Sequence, residues 1–305
     1  MNVTQYRRRA LRTARHRSPR TWRYALNLGP TLSYRLHRPR LSGESARVVA
    51  ELREHGVAIS SVSELGIADE FGDVTSALTQ AWDVERHSDD AEKAFLDEIL
   101  GHVPTLAPTS PWALLALAAP VRSIADGYLG MFTQLRYYNV WRNRPTPEPP
   151  RSSQLWHRDR DDFMILKMFI HLDGVGRGAG PFRYARGTHS TGPNHQDPKW
   201  TVEDGVNRAS DEEVAPVATP SDWVDAIGPA GTVVFADTTG LHCGGWARTN
   251  ERRLFTCMYT SRDSQAREWF ERSPDLQSPE DPGLRFALGR GREGPAWVPR
   301  RSPAT

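Results

Sequence analysis

The 305-residue sequence predicts an all-β core with flanking helices, a sandwich or jelly roll carrying its helices on one face. Two observations lead there. Segments with apolar residues at helical spacing precede residue 132, whereas the segments rich in β-branched and aromatic residues come mostly after it. The two kinds do not alternate, which argues against a doubly wound α/β fold. Length agrees, because all-β barrels and sandwiches often occupy ~200–250 residues as one unit, leaving room for one core with extensions.

Residues 1–41 read as a basic N-terminal extension. Residues 1–40 hold eleven arginines, Arg7, Arg8 and Arg9 among them, and no acid precedes Glu44. Such an arm either touches an acidic partner or membrane surface, or is a loosely ordered or peripherally docked extension, the commoner case. It lacks the apolar segment of a secretory signal. No stretch approaches the ~18 apolar residues of a membrane span. The net charge of +2 predicts no specific nucleic-acid partner. A soluble cytoplasmic protein is the expectation, and oligomeric state is not legible. Cys243 and Cys257 have neither metal-type spacing nor a disulfide framework and read as reduced thiols.

In SGESARVVAELREHGVAIS, Ser42 is a candidate helix cap, Val48, Val49 and Leu52 follow a helical period, Gly56 stops the helix and a short strand follows. Ala- and Leu-rich patterns over 70–100 and 111–130 predict two more helices. From residue 132, FTQLRYYNVW reads as a strand, RNRPTPEPPRSS as a loop, FMILKMFIHL as a strand, and GVGRGAGPF as a turn into FRYA. GTVVFAD and RLFTCMYTS supply further strands. Residues 190–228 form a polar insert with a short helix expected at SDWVDAI, and an insert of that length reads as a lid. Residues 263–305 are an Arg-, Pro- and Gly-rich C-terminal tail.

The chemistry concentrates in LWHRDRDDF, residues 155–163. On a strand, positions i and i+2 share a side, so His157 and Asp159 project together and Arg158 points away. A third metal donor is expected from His242 in GLHCGG. Two histidines and one carboxylate on one face of a metal leave open positions, the arrangement of non-haem Fe(II) oxygenases, which a 2-oxo acid and O2 would fill. The second carboxylate of 2-oxoglutarate would need a buried cation. Arg252 answers that need: it opens RRLFTCMYT, where alternation puts Arg252, Leu254, Thr256 and Met258 on one face and Arg253, Phe255, Cys257 and Tyr259 on the other. Gln154 and Asn139 are further candidates for binding the cosubstrate.

Other readings of these residues weigh less. Asp161 and Asp162 are the closer rivals to Asp159, but Asp161 lies two pleats along the strand from His157; His189 reads as structural. His171 shares a face with Lys167 and Phe169. Trp156, Tyr137 and Tyr138 either wall a pocket or pack. A kinase is excluded because H-R-D here lacks its companion motifs, and the Gly174–Gly180 run is not a dinucleotide fingerprint.

The ordered set WHRD, LKMFIHLDG, GAGPFRYARGTHS, GPAGTVVFADTTGLHCGG and ERRLFTCMYTS resembles the phytanoyl-CoA dioxygenase family of Fe(II)/2-oxoglutarate-dependent oxygenases, over residues 132–261. The resemblance implies a cupin-like double-stranded β-helix for residues 42–262, with Fe(II), 2-oxoglutarate and O2 as reactants. It implies His157, Asp159 and His242 as iron ligands and Arg252 on the distal carboxylate of 2-oxoglutarate. Related groups use a lysine there, which makes Lys167 the rival. Halogenating relatives lack the carboxylate ligand, so the retained Asp159 implies hydroxylation or a related oxidation of a small-molecule substrate. A non-catalytic jelly-roll binding module and a Zn-dependent hydrolase using the same ligands are the alternatives.

Overall fold

The computed structural model describes residues 18–81, 95–203, 205–276 and 279–289. The arginines of residues 1–17 and the end of the tail therefore lie outside the described residues. In chain order the strands are β1 (Val57–Ser61), β2 (Leu96–Glu98), β3 (Thr105–Leu106), β4 (Gln134–Asn143), β5 (Ile165–His171), β6 (Arg183–Ala185), β7 (Thr201–Glu203), β8 (Val206–Arg208), β9 (Trp223–Asp225), β10 (Thr232–Asp237), β11 (His242–Cys243), β12 (Arg252–Thr260) and β13 (Glu271–Arg272).

A six-stranded antiparallel sheet runs β1-β10-β5-β12-β4-β2, and a three-stranded sheet runs β11-β6-β9. Strand alternation gives the large sheet two different faces. Leu166, Met168 and Ile170 of β5 and Phe255, Cys257 and Tyr259 of β12 join Val48, Leu52, Val121 and Ile124 of the helices in the main core. The opposite face of the sheet presents Phe169, Val234 and Ala236 to Phe182, Tyr184 and Ala226, on and beside the small sheet. Behind the small sheet, Trp156, Ala185, Ala209, Val214 and Cys243 form a third cluster under part of the insert. The layers are thus helices, large sheet, small sheet and insert.

The helix Gly43–His55 begins after Ser42, whose side chain makes no capping bond, and ends at Gly56 with φ 76°. A side chain at Gly56 would be strained by that φ and would also meet the Tyr184 hydroxyl and the His189 ring. Residues 111–130 divide into two helices, Pro111–Ala116 and Ala119–Leu129, with Pro120 in the first turn of the second. Of the expected helix over 70–100, the helix Ala68–Ala81 covers the first part, and residues 82–94 lie outside the described residues. Leu96–Glu98 is instead an edge strand paired with Trp141–Asn143, so tertiary pairing overrides local propensity there. SDWVDAI is not a helix either: a 3-10 turn, Pro220–Asp222, leads into β9, which pairs with β6. The end of the 190–228 insert is therefore a strand of the small sheet.

The chain before the first core helix packs onto the domain. Trp22 is 1 % exposed, lies 5.3 Å from the Phe163 ring and donates its indole N–H to Asp162 Oδ1 at 2.6 Å. Within the tail, β13 pairs with β3, and Phe286 of the helix Pro282–Ala287 stacks on Phe132. Among the described residues, no helix is long and apolar enough to cross a membrane.

Candidate metal centre

The segment carrying His157 and Asp159 is not the regular strand that the sequence predicts. His157 forms an isolated antiparallel bridge with His242, its N–H donating to the His242 carbonyl at 2.9 Å and its carbonyl accepting from the His242 N–H at 3.1 Å. Asp159 has left that ladder, and its N–H donates to the Thr238 carbonyl at 2.8 Å. The turn Asp237–Gly240 thus positions two donors together: it anchors Asp159 and leads directly into His242. Asp237 holds that turn. Its Oδ1 accepts from the Thr239 N–H at 3.0 Å and hydroxyl at 2.7 Å, and its Oδ2 accepts from the Tyr128 hydroxyl at 2.6 Å.

The donor atoms of His157, Asp159 and His242 lie within 4.8 Å of one another, and no other such group of three occurs among the described residues. The imidazole centroids are 4.3 Å apart, and His242 Nε2 is 4.0 Å from Asp159 Oδ2. Nδ1 of His157 lies 2.9 Å from the Leu155 carbonyl, and Nδ1 of His242 lies 3.0 Å from the Gly240 carbonyl. These carbonyls accept only if Nδ1 carries the proton, which leaves each Nε2 lone pair available to a metal.

Burial pushes the His157 imidazolium well below its ordinary range, His242 adds to the effect and Asp159 opposes it. Burial likewise takes His242 down to about 4 against the pull of Asp159. Both rings are neutral at pH 7, the state that ligates. Burial alone would raise the Asp159 carboxyl, but Lys167 and the two imidazoles outweigh it and hold the group below the usual carboxylate range. Lys167 places Nζ 2.7 Å from Asp159 Oδ2. Two neutral nitrogens and a carboxylate converging on one space fit a divalent transition metal.

Arg252 is 3 % exposed, on the large-sheet face predicted for it. Burial lowers its guanidinium to about 10, so it stays charged. Nη1 donates to the Gly180 carbonyl, while the buried Nε has no hydrogen-bond partner. An unsatisfied donor on a buried guanidinium fits a carboxylate-bearing ligand. Lys167 is opposite Met258, six residues along β12 from Arg252 and ~20 Å away at strand spacing, so the two cations serve different ends of this face. His171 lies towards the Arg252 end, and its imidazole is lowered to about 4 by burial first and Arg252 second.

The remaining candidates are elsewhere. Gln154 lines a cavity of about 420 Å³ whose wall also contains Trp156, Arg183, Cys243 and Trp246 but none of the three donors, Lys167 or Arg252. Its Nε2 is buried without a hydrogen-bond partner. Asn139 bonds the Gly101 carbonyl and the Leu100 N–H. Tyr138 packs in the main core, whereas Tyr137 has the Lys167 ammonium 6.0 Å from its ring centre. Asp162 accepts from Trp22 and the Ser261 N–H, and His189 is fully buried outside the donor group. Both cysteines are free and buried.

No protein-family model matches the chain, and no curated protein matches it in sequence. Solved structures do match. The epimerase SnoN in complex with Fe3+, alpha ketoglutarate and nogalamycin RO is 16% identical, with 73% of this chain and 86% of that chain covered at a TM-score of 0.52. EctD from S. alaskensis with 2-oxoglutarate and 5-hydroxyectoine is 18% identical over 79% of this chain and 95% of that chain, with a TM-score of 0.48. The carbocyclase SnoK from nogalamycin biosynthesis is 18% identical over 84% and 94%, with a TM-score of 0.47. The chain shares the overall fold of SnoN.

Proposed function

We propose that the chain is an Fe(II)/2-oxoglutarate-dependent oxygenase of the phytanoyl-CoA dioxygenase type, acting on a small-molecule metabolite. The convergence of two neutral imidazoles and one carboxylate carries this reading. The likeness to SnoN supports it at the level of the scaffold. The strand order supports a double-stranded β-helix in particular: the bridge to His157 extends the small sheet to a fourth position, opposite β10-β5-β12-β4 of the large one.

His157, Asp159 and His242 would hold Fe(II), and Arg252 would hold the distal carboxylate of 2-oxoglutarate. Bound there, the iron and cosubstrate would supply O2-dependent oxidation of the substrate, one oxygen atom going to the substrate and the other to succinate as 2-oxoglutarate loses CO2. The chain's own residues do the positioning. The carbonyls of Leu155 and Gly240 fix both imidazole tautomers. The Thr238 carbonyl fixes the backbone of Asp159, and Lys167 orients its carboxylate. The part of the 190–228 insert that precedes β9 would act as a lid that keeps water from the reacting atoms. The basic extension, residues 1–41, and the tail, residues 263–305, flank the catalytic domain, residues 42–262.

The test is Fe(II)-dependent formation of succinate from 2-oxoglutarate by the purified protein, which proceeds slowly without substrate in an oxygenase. Wild-type protein should form it and Asp159→Ala should not. A folded wild-type protein forming none would favour a binding module or, if Zn(II) rather than Fe(II) co-purifies with it, a hydrolase.

A further inference from the structure

The insert contributes a cation to the same face as the metal donors. Trp156 and Ala209 exchange both backbone hydrogen bonds, at 3.0 and 2.9 Å. In that antiparallel register the next pair along sets His157 opposite Arg208, the last residue of β8. Directly opposed residues project to the same face. Trp156 and Ala209 both pack in the cluster behind the small sheet, so His157 and Arg208 face the other way, towards the large sheet. His157 is itself paired with His242. Arg208, His157 and His242 therefore form one row across three neighbouring chain segments, each ~4.8 Å from the next.

Arg208 is 8 % exposed, and its charge reaches both imidazoles. It stands apart from the other cations of that face. Lys167 lies across the sheet on β5, opposite Met258, and Arg252 occupies the far end of β12. A guanidinium offers a planar fork of donors that matches carboxylate or phosphate oxygens in pairs.

We propose that Arg208 reads the substrate of this centre by binding an oxyanion, carboxylate or phosphate, so that the substrate is an acidic small molecule docked beside His157. The proposal rests on the oxygenase reading given above. It adds a substrate class and a specificity-determining residue.

The test is calorimetric titration, under anaerobic conditions, of protein loaded with Fe(II) and 2-oxoglutarate. Benzoate and phenyl phosphate are the probes and benzamide the uncharged control. Wild-type protein should bind at least one of the two anions and not benzamide. Arg208→Gln should weaken that binding at least tenfold and Arg208→Lys should restore part of it, while the visible band of the Fe(II)–2-oxoglutarate complex persists in both variants. Equal anion binding by Arg208→Gln, or none by the wild type, overturns the proposal. Loss of the visible band in both variants also overturns it, because Arg208 would then serve the cosubstrate. If wild-type protein shows no band yet binds anions through Arg208, the anion site stands and the oxygenase reading fails.

Discussion

Lys167 and Asp159 form an ion pair, Nζ 2.7 Å from Oδ2, with each side chain only 17 % exposed. Removing the ammonium leaves a largely buried carboxylate beside two neutral imidazoles. Lys167→Met should therefore destabilise metal-free protein by ~2 kcal/mol, below the range for fully buried pairs because some solvent screening remains. Fe(II) can replace the lost counter-charge. The rise in Tm on adding Fe(II) anaerobically should be larger for the variant than for wild type. Equal rises would mean that Lys167 does not compensate Asp159.

Arg252 has an unsatisfied Nε, and the salt bridges among the described residues give it no carboxylate partner. Arg252→Met should weaken 2-oxoglutarate binding ~10–100-fold, the worth of about 1.5–3 kcal/mol for hydrogen bonds to a charged group. Fe(II) affinity should change little. Titrating 2-oxoglutarate and Fe(II) separately distinguishes this from general damage, which would lower both.

Asp126 makes stability depend on pH. It is 4 % exposed, and its Oδ1 accepts from both the N–H and the hydroxyl of Thr133 at 2.7 Å. Burial pushes its pKa up to about 7, with the Thr133 bonds opposing. The folded value exceeds the unfolded one, so the stabilisation is fully present below about pH 4 and is lost as pH rises through about 7. Asp126→Asn keeps an acceptor for Thr133 without the ionisation. Between pH 4 and 8 the variant's unfolding free energy should fall less than that of wild type, by ~2–4 kcal/mol. Parallel denaturation curves across that range would contradict this.

Trp22 joins the N-terminal segment to the strand-connecting loops through Phe163 and Asp162. Trp22→Ala should cost ~3–5 kcal/mol, as for other large aromatic truncations in a core. Trp22→Phe should cost ~1 kcal/mol, the net worth of the indole hydrogen bond. Denaturant midpoints measure both. A negligible effect of Trp22→Ala would show that the segment contributes nothing to folding of the domain.

Period-two alternation made much of the large sheet legible. It set Arg252 and Thr256 on the face away from the helices and Phe255, Cys257 and Tyr259 on the face that packs against them, as the core shows. The histidine–carboxylate pair and the distant His242 were visible as residue types, but the means of gathering them was not. His157 meets His242 through a backbone bridge, and Asp159 is placed by Thr238, both pairings between segments far apart in sequence. Arg208 and Asp237 are not legible in the sequence for the same reason. A residue in an insert without apolar period gains its orientation only from the strand that it joins, and Asp237 looks like any acid at a strand end until Tyr128 and Thr239 surround it. The break at Pro120 is written in the sequence, since proline favours the first turn of a helix, whereas the edge strand at Leu96 follows only from its partner in β4.

The most direct measurement is the visible spectrum of the protein on anaerobic addition of Fe(II) and then 2-oxoglutarate. A charge-transfer band should appear in the wild type and be absent from His157→Ala, Asp159→Ala and His242→Ala at the same concentrations. A folded wild-type protein that gives no band, or a band that survives each of these three substitutions, would contradict a ferrous ion shared by these side chains.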